Sequence, residues 1–227
     1  MAGGTEAAPN RWQRFYNAIL YNTLAPLYNA LDWLTLGAWW RLVRRALDYV
    51  PPGGRVLEIG FGPGKLHVAL ARQAALCVGL DLAWGMCRFT RRRLQKAGLT
   101  SRIIRGNMLA LPFPAGTFDT VVSTFTLSGL PDGHMAMREM ARVTAAGGRI
   151  VLVDIGLPRD GSRAGIFWAR LWARTGDYLH DQPALMQAAG LTVTTFEEYG
   201  PGKHIRAVVG EKPTNAISGR AAHFVAK

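Results

Sequence analysis

Val56–Lys65, VLEIGFGPGK, decides the reading of the chain. An apolar run, Val56-Leu57-Glu58-Ile59, enters Gly60-Phe61-Gly62-Pro63-Gly64, and the apolar residues Leu66, Val68, Ala69 and Leu70 follow. The pattern is strand, glycine loop, helix. Glycines at such a turn let the backbone bend tightly and bring its N–H groups up to a ligand with no Cβ in the way. A dinucleotide fingerprint requires its third glycine three residues after the second, and Lys65 stands there, which disfavours a dehydrogenase. A second acid closes the next apolar run, Leu76-Cys77-Val78-Gly79-Leu80-Asp81. Asp81 lies 21 residues after Gly60, where a carboxylate at the tip of a second strand can accept hydrogen bonds from a ribose diol. Loop and acid together point to a nucleoside ligand.

Outward from this unit the chain alternates strands and helices. A helix is expected over Ala83–Ala97, its outer face carrying Arg88, Arg91, Arg92, Arg93 and Lys96 as a solvated charge run. A short strand follows from Arg102 toward Asn107 and Met108. Another, Thr120–Thr124, ends at Thr124-Phe125-Thr126 on the carboxyl edge of the sheet, where open α/β folds place ligands. Phe125 and Thr126 are candidate pocket-lining residues. Met135–Val143 reads as an amphipathic helix stopped by Ala146-Gly147-Gly148, and Arg149–Asp154 as a fifth strand with Asp154 directed at the site edge. The connection between Phe196 and His204 is too short for a parallel crossover, so the last two strands should form an antiparallel hairpin. No internal repeat is present.

Four blocks carry a family resemblance: VLEIGFGPGK, GLDLAWGM from Gly79, RGNMLALPFPAGTFDTVVS from Arg105 and EMARVTAAGGRIVLVDIG from Glu139. In this order they resemble the class I S-adenosylmethionine (AdoMet) dependent methyltransferases, most of all the branch of the ubiquinone and menaquinone biosynthesis enzymes, over roughly Tyr28–Glu211. The resemblance implies a Rossmann-like α/β fold: a seven-stranded, mostly parallel sheet with helices on both faces, the last strand antiparallel, under an N-terminal helical cap. It implies AdoMet as cofactor. Gly60, Gly62 and Gly64 would shape the loop around its methionine end, and Glu58 would hold the network near its amino group. Asp81 would take the ribose, Asn107 and Met108 the adenine, with Leu82 and Leu109 as apolar walls and Thr124 at the edge. Asn107 stands where the family commonly has aspartate and keeps an acceptor oxygen.

Domain boundaries follow. Residues 1–50 form the cap, rich in aromatics such as Trp12, Tyr28, Trp33 and Trp39, and Pro51-Pro52-Gly53-Gly54 ends it. The AdoMet-binding domain covers 51–212, with an insertion at 157–181 over the acceptor site, and 213–227 is a polar tail expected to be disordered. In the insertion, Phe167, Trp168, Leu171 and Trp172 form an apolar stripe bordered by Arg163, Arg170 and Arg174. Tryptophans with arginines suit an apolar acceptor bearing an anionic group, such as a lipid phosphate; the plainer reading is a surface helix packed on the cap. Asn29 replaces the aspartate of the quinone enzymes' N-terminal signature and its histidine is missing, so the acceptor stays open between a quinone precursor and a phospholipid.

Composition sets the remaining bounds. At 227 residues and 49% hydrophobic, the chain can bury one full core. Cys77 and Cys87 supply neither a disulfide framework nor metal-ligand spacing, so no metal is expected. Met1–Asn10 lacks the basic start and apolar block of a secretion signal, and Asn17, Asn22, Pro26 and Asn29 interrupt Phe15–Leu31 too often for a membrane span. The expected location is the cytoplasm, at the inner face of a membrane if the cap meets lipid. Lys and Arg exceed Asp and Glu by 27 to 15, a net charge of +12 that favours anionic partners. An anionic membrane surface ranks ahead of nucleic acid, because no RNA-binding appendage is recognisable; RNA methylation and a non-catalytic AdoMet sensor are the rival functions. His67, His134, Tyr16 and Tyr28 are conceivable general bases, none is assigned, and no pattern sets an oligomeric state.

Overall fold

The computed structural model describes residues 37–100, 102–174 and 176–214. Seven strands form one sheet: β1 (Arg55–Ile59), β2 (Leu76–Asp81), β3 (Ile103–Arg105), β4 (Phe118–Thr124), β5 (Thr144–Ile155), β6 (Thr192–Tyr199) and β7 (Ile205–Glu211). Their order is β3-β2-β1-β4-β5-β7-β6. Neighbours from β3 to β5 are parallel, and β7 runs antiparallel to both β5 and β6. Among the described residues six α-helices accompany them: α1 (Ala38–Val43), α2 (Lys65–Gln73), α3 (Trp84–Lys96), α4 (Gly133–Val143), α5 (Arg163–Arg174) and α6 (Gln182–Ala188). This is the expected α/β sheet, with the reversed strand at β7.

The central strands are buried on both faces, as a parallel sheet covered by helices requires. Alternation sorts their side chains. Leu57, Ile59, Val121, Ile150, Leu152 and Val208 face one core with Met137 and Met140 of α4 and Leu185 and Met186 of α6. Val56, Val122, Val151, Val153 and Ala207 face the other, with Leu66 and Leu70 of α2 and Ala46 of the 3-10 turn Arg44–Tyr49. Asp132 caps α4 by accepting the Met135 N–H at 3.1 Å, and Asp181 caps α6.

Strand order turns back between β1 and β4: the chain steps outward from β1 to β2 and β3, then returns to place β4 on β1's other side. The carboxyl ends of β1 and β4 therefore splay around a crevice. Two expected boundaries move. The third strand ends at Arg105, leaving Asn107 in a turn, and β5 begins at Thr144, directly after α4, rather than beyond Gly148. Gly147 and Gly148 do not stop a helix; they exchange backbone hydrogen bonds with Lys212 (2.9 and 2.8 Å) and prolong the pairing with β7. Of the cap, residues 37–50 are described. Trp12, Tyr16, Tyr28, Trp33 and the tail beyond Thr214 lie outside the described residues, as does the expectation of a disordered tail.

Candidate active site

The loop after β1 passes through three left-handed glycines: Gly60 (φ +69°), Gly62 (φ +49°) and Gly64 (φ +73°). Two of them are fixed by packing. A Cβ on Gly60 would overlap the Thr126 hydroxyl and stand 2.5 Å from its Cγ2. A Cβ on Gly64 would overlap the Thr90 side chain, at 2.8 Å from its Cβ. Thr126 and Thr90 thus clamp the loop from the end of β4 and from α3, and Thr90 Oγ1 also donates to the Gly62 carbonyl at 3.0 Å. Gly62 differs: a Cβ there would meet nothing within 4 Å. Its bare backbone fronts open space beside the crevice.

Asp81 ends β2 opposite that loop. Its Oδ2 accepts the Gly62 N–H at 3.0 Å and its Oδ1 accepts the Ala83 N–H at 2.8 Å, so each oxygen is oriented by one backbone donor and keeps a lone pair. Burial pushes its carboxyl up to about 6; the Ala83 and Gly62 N–H groups pull the other way, and the nearby Glu58 charge adds to the rise. Leu82, next along, is 64% exposed and offers an open apolar wall rather than core packing. Across from it, the exposed Asn107 accepts the Leu109 N–H on its own Oδ1 at 3.0 Å, a local turn that presents the amide outward. Met108 turns its side chain into the core. Thr124 closes β4 at the same edge.

Glu58 lies beneath the loop, buried, and its Oε2 meets His67 Nδ1 of α2 at 2.9 Å. His67 is equally buried, against Phe61 (ring centroids 5.7 Å) and Cys77 (3.8 Å from Nδ1), so it braces Glu58 and is not placed as a solvent-facing base. Burial also drives the Cys77 thiol upward, far from a reactive thiolate. His134 is exposed on the first turn of α4. Asp154 does not reach the site edge: it is buried at the end of β5 and accepts the Ser128 N–H (3.0 Å) and the Ile155 N–H (2.8 Å), with burial raising its carboxyl to about 6. Its work is to anchor the turn after β4.

Beyond Thr124 an aromatic run begins. Phe125, held at φ +49°, packs on Trp39 of α1 with centroids 4.4 Å apart, and Trp39 continues to Trp172 of α5 at 5.9 Å. A bulky residue in left-handed backbone is strained, and such strain gathers at ligand sites. The path into α5 is held by the buried Arg206, which donates to Glu198 (3.1 Å), to Gln182 (3.2 Å) and to the Leu157 carbonyl. α5 then seats itself by small residues: Gly165 and Ala169 are buried, with Gly165 against Gly202, while Phe167, Trp168 and Leu171 remain exposed. The apolar stripe expected in this insertion therefore faces largely outward. Thr90, His67 and the Trp39–Trp172 pairing escaped sequence reasoning as site-building residues; Thr90 alone left a signal, as a polar residue in the buried register of α3 with Met86, Cys87 and Leu94.

A doubly wound sheet whose switch point carries a bare glycine backbone and an oriented carboxylate defines a nucleoside-dependent α/β enzyme. Residues 57–152 match a family model described as a methyltransferase domain. Over 148 residues the chain is 36% identical to a demethylmenaquinone methyltransferase of Thermus thermophilus, spanning 63% of this chain and 67% of that protein. It is 32% identical over 149 residues to a ubiquinone/menaquinone biosynthesis C-methyltransferase of Geobacter sulfurreducens, spanning 62% and 58%. A solved geranyl diphosphate methyltransferase, in complex with GPP and sinefungin, superposes with a TM-score of 0.61 at 20% identity over 77% of each chain. The chain belongs to the class I AdoMet-dependent methyltransferases, in the branch of the ubiquinone and menaquinone biosynthesis enzymes, and its cofactor is AdoMet. It spans about half to two thirds of the length of the curated relatives it matches.

Proposed function

We propose that the protein transfers the methyl group of AdoMet to a flat, apolar acceptor of the quinone-precursor type. The observation that carries the reading is the aromatic run Phe125–Trp39–Trp172, which starts one residue past β4 beside the glycine loop. A run of packed, tilted rings suits a planar apolar ligand and excludes water from it. Relatives named for demethylmenaquinone methylation support the same acceptor class and do not favour RNA or a silent sensor.

The residues present fit the cofactor. Gly62 offers backbone without a Cβ at the place where a ligand must come close, and Asp81 presents two oriented oxygens to a diol. In this reading Gly60, Gly62 and Gly64 shape the loop at the methionine end, and Glu58, braced by His67, supplies negative charge beneath it. Asp81 takes the ribose hydroxyls, Leu82 walls the adenine, Asn107 and the Met108 backbone meet its edge, and Thr124 borders the crevice. When bound, AdoMet supplies a methyl group already activated on a sulfonium. The chain's own contribution is alignment and exclusion of water, and no side chain needs to act as nucleophile.

The test is incubation with methyl-labelled AdoMet and a demethylated naphthoquinol, followed by mass spectrometry of the extract. The expected result is one labelled methyl on the quinol. Trp172→Ala should raise the acceptor KM about tenfold while leaving cofactor affinity in place, because a lost aromatic contact is worth about 1 kcal/mol beyond its area. Bound AdoMet with no label in quinol would refute the acceptor.

A further inference from the structure

All seven exposed large apolar side chains among the described residues stand at one edge of the sheet. Leu82 and Trp84 follow β2, Met135 lies in the first turn of α4, and Leu157, Phe167, Trp168 and Leu171 follow β5. Each lies just past the carboxyl end of a parallel strand or, for α5, over the turn Pro201–Lys203 where β7 begins beside the end of β5. That is the edge on which the crevice opens. Isolated surface hydrophobes are ordinary, but a face that gathers every one of them is a contact surface.

α5 gives that surface its chemistry. Gly165 and Ala169, one turn apart, bury one side of the helix. A residue two positions from each lies on the opposite side, so Phe167 points away, 60% exposed. Arg163, Arg170 and Arg174 fall beside Phe167 and Leu171 on this outer face, and the helix carries no acid. A groove of about 470 Å³ runs along it, lined by these residues and Ile166. The acids nearby are engaged: Asp160 pairs with Lys203 at 3.0 Å, and Asp132 and Asp181 cap helices. An amphipathic helix with aromatic and aliphatic residues interleaved with arginines, on a chain of net charge +12, matches an anionic lipid interface: rings and chains enter the acyl boundary while guanidinium groups meet phosphates.

We infer that the mouth of the site, with α5 at its centre, docks on the surface of an anionic bilayer. Docking places the crevice against the lipid, so that an apolar acceptor enters from the membrane without crossing water. The docking rests on the exposed residues other than Leu82, which bound cofactor would cover; delivery of acceptor rests on the function proposed above.

The experiment is flotation of the full-length protein with vesicles of phosphatidylcholine alone and of phosphatidylcholine with phosphatidylglycerol, at low and high sodium chloride. The protein should float with the anionic vesicles at low salt, and binding should fall as salt rises. Phe167→Ala with Leu171→Ala should lower partition about twentyfold or more through lost apolar burial. Arg163→Gln, Arg170→Gln and Arg174→Gln together should lower it about a hundredfold, at roughly fivefold per charge. Arg72→Gln with Lys96→Gln, at the far ends of α2 and α3, should change it less than about twofold at contact range. Unchanged melting temperatures and AdoMet affinities certify that the α5 variants are folded. Equal binding to neutral vesicles, no flotation at low salt, or an equal loss in the Arg72/Lys96 pair would overturn the inference. So would a self-association that Phe167→Ala abolishes without any vesicle binding, or tight RNA binding through these arginines without flotation. Flotation without methylation of any apolar acceptor leaves the docking standing and fails the acceptor reading; methylation of a detergent-dispersed quinol without flotation does the reverse.

Discussion

The three loop glycines should fail in different ways when each is replaced by alanine. All have positive φ, which costs an L-residue about 1–2 kcal/mol. At Gly62 this strain should be nearly the whole effect on stability, because the added Cβ meets nothing within 4 Å. Its consequence should fall on binding, since in the proposed site the methyl group would occupy the space through which the backbone approaches the cofactor. A loss of about 2 kcal/mol in affinity, roughly thirtyfold, is expected. At Gly60 the Cβ would overlap Thr126 Oγ1 and lie 2.5 Å from its Cγ2, so about 1–3 kcal/mol of overpacking adds to the strain. Gly60→Ala should therefore lose about 2–5 kcal/mol, a large share of the roughly 5–15 kcal/mol that holds a domain together.

Urea denaturation measures the first quantity, and calorimetric titration with AdoMet or S-adenosylhomocysteine the second. Thr126→Gly removes all three offending atoms, so the Gly60→Ala/Thr126→Gly pair should be more stable than additivity of the single changes allows, by about 1–2 kcal/mol. If Gly62→Ala binds cofactor as the parent does, the open cradle is not where the ligand lies. If Gly60→Ala is no less stable than Gly62→Ala, the threonine clamp does not hold the loop.

Three further outcomes follow from charge and burial. Asp81, pushed up to about 6, is protonated below that pH and then cannot present both oxygens to hydroxyl donors; AdoMet affinity measured calorimetrically should weaken by up to about tenfold per pH unit below 6, and Asp81→Asn should flatten the profile. Asp154, also raised to about 6 by burial, binds its proton more tightly folded than unfolded, so its contribution to stability is complete below pH ~4 and fades as pH rises to about 6; Asp154→Asn, which does not titrate, should remove that fall from urea melts taken between about pH 4 and 7. His67→Leu strands the buried Glu58 carboxylate and should cost about 3–5 kcal/mol, much of it recovered in Glu58→Leu/His67→Leu, which removes the charge along with its partner.

What was legible in the sequence lies close together in the chain. The strand, loop and helix around Gly60 are contiguous, and the short link from Phe196 to His204 forces the reversed β7. Asp81 could be placed because a strand tip and the residue count fix its height on the sheet. Thr126 is 66 residues from Gly60 and Thr90 is 28 from Gly62, and no local pattern pairs them. The same limit hid Asp154: a residue ending a strand can face the crevice or turn under it, and the turn Leu127–Gly129, which receives its carboxylate, decides between them.

Helix α5 shows a different limit, which concerns sign rather than distance. Periodicity puts Phe167, Leu171 and their arginines on one side, but a hydrophobic stripe carries no label saying which side is inward. Here Gly165 and Ala169 decide it. Gly165 stands so near the Gly202 carbonyl that a Cβ would overlap it, and backbones that close admit only small residues between them. The large apolar residues must then take the other side, which is open to solvent. Gly165→Leu would force α5 off its seat, so a drop in melting temperature should accompany any effect on vesicle binding, whereas Phe167→Ala should leave melting unchanged. A helix held by its small residues and exposing its large ones follows the packing rule of a buried helix on one face and the composition of an interfacial helix on the other, and the two faces can be tested separately.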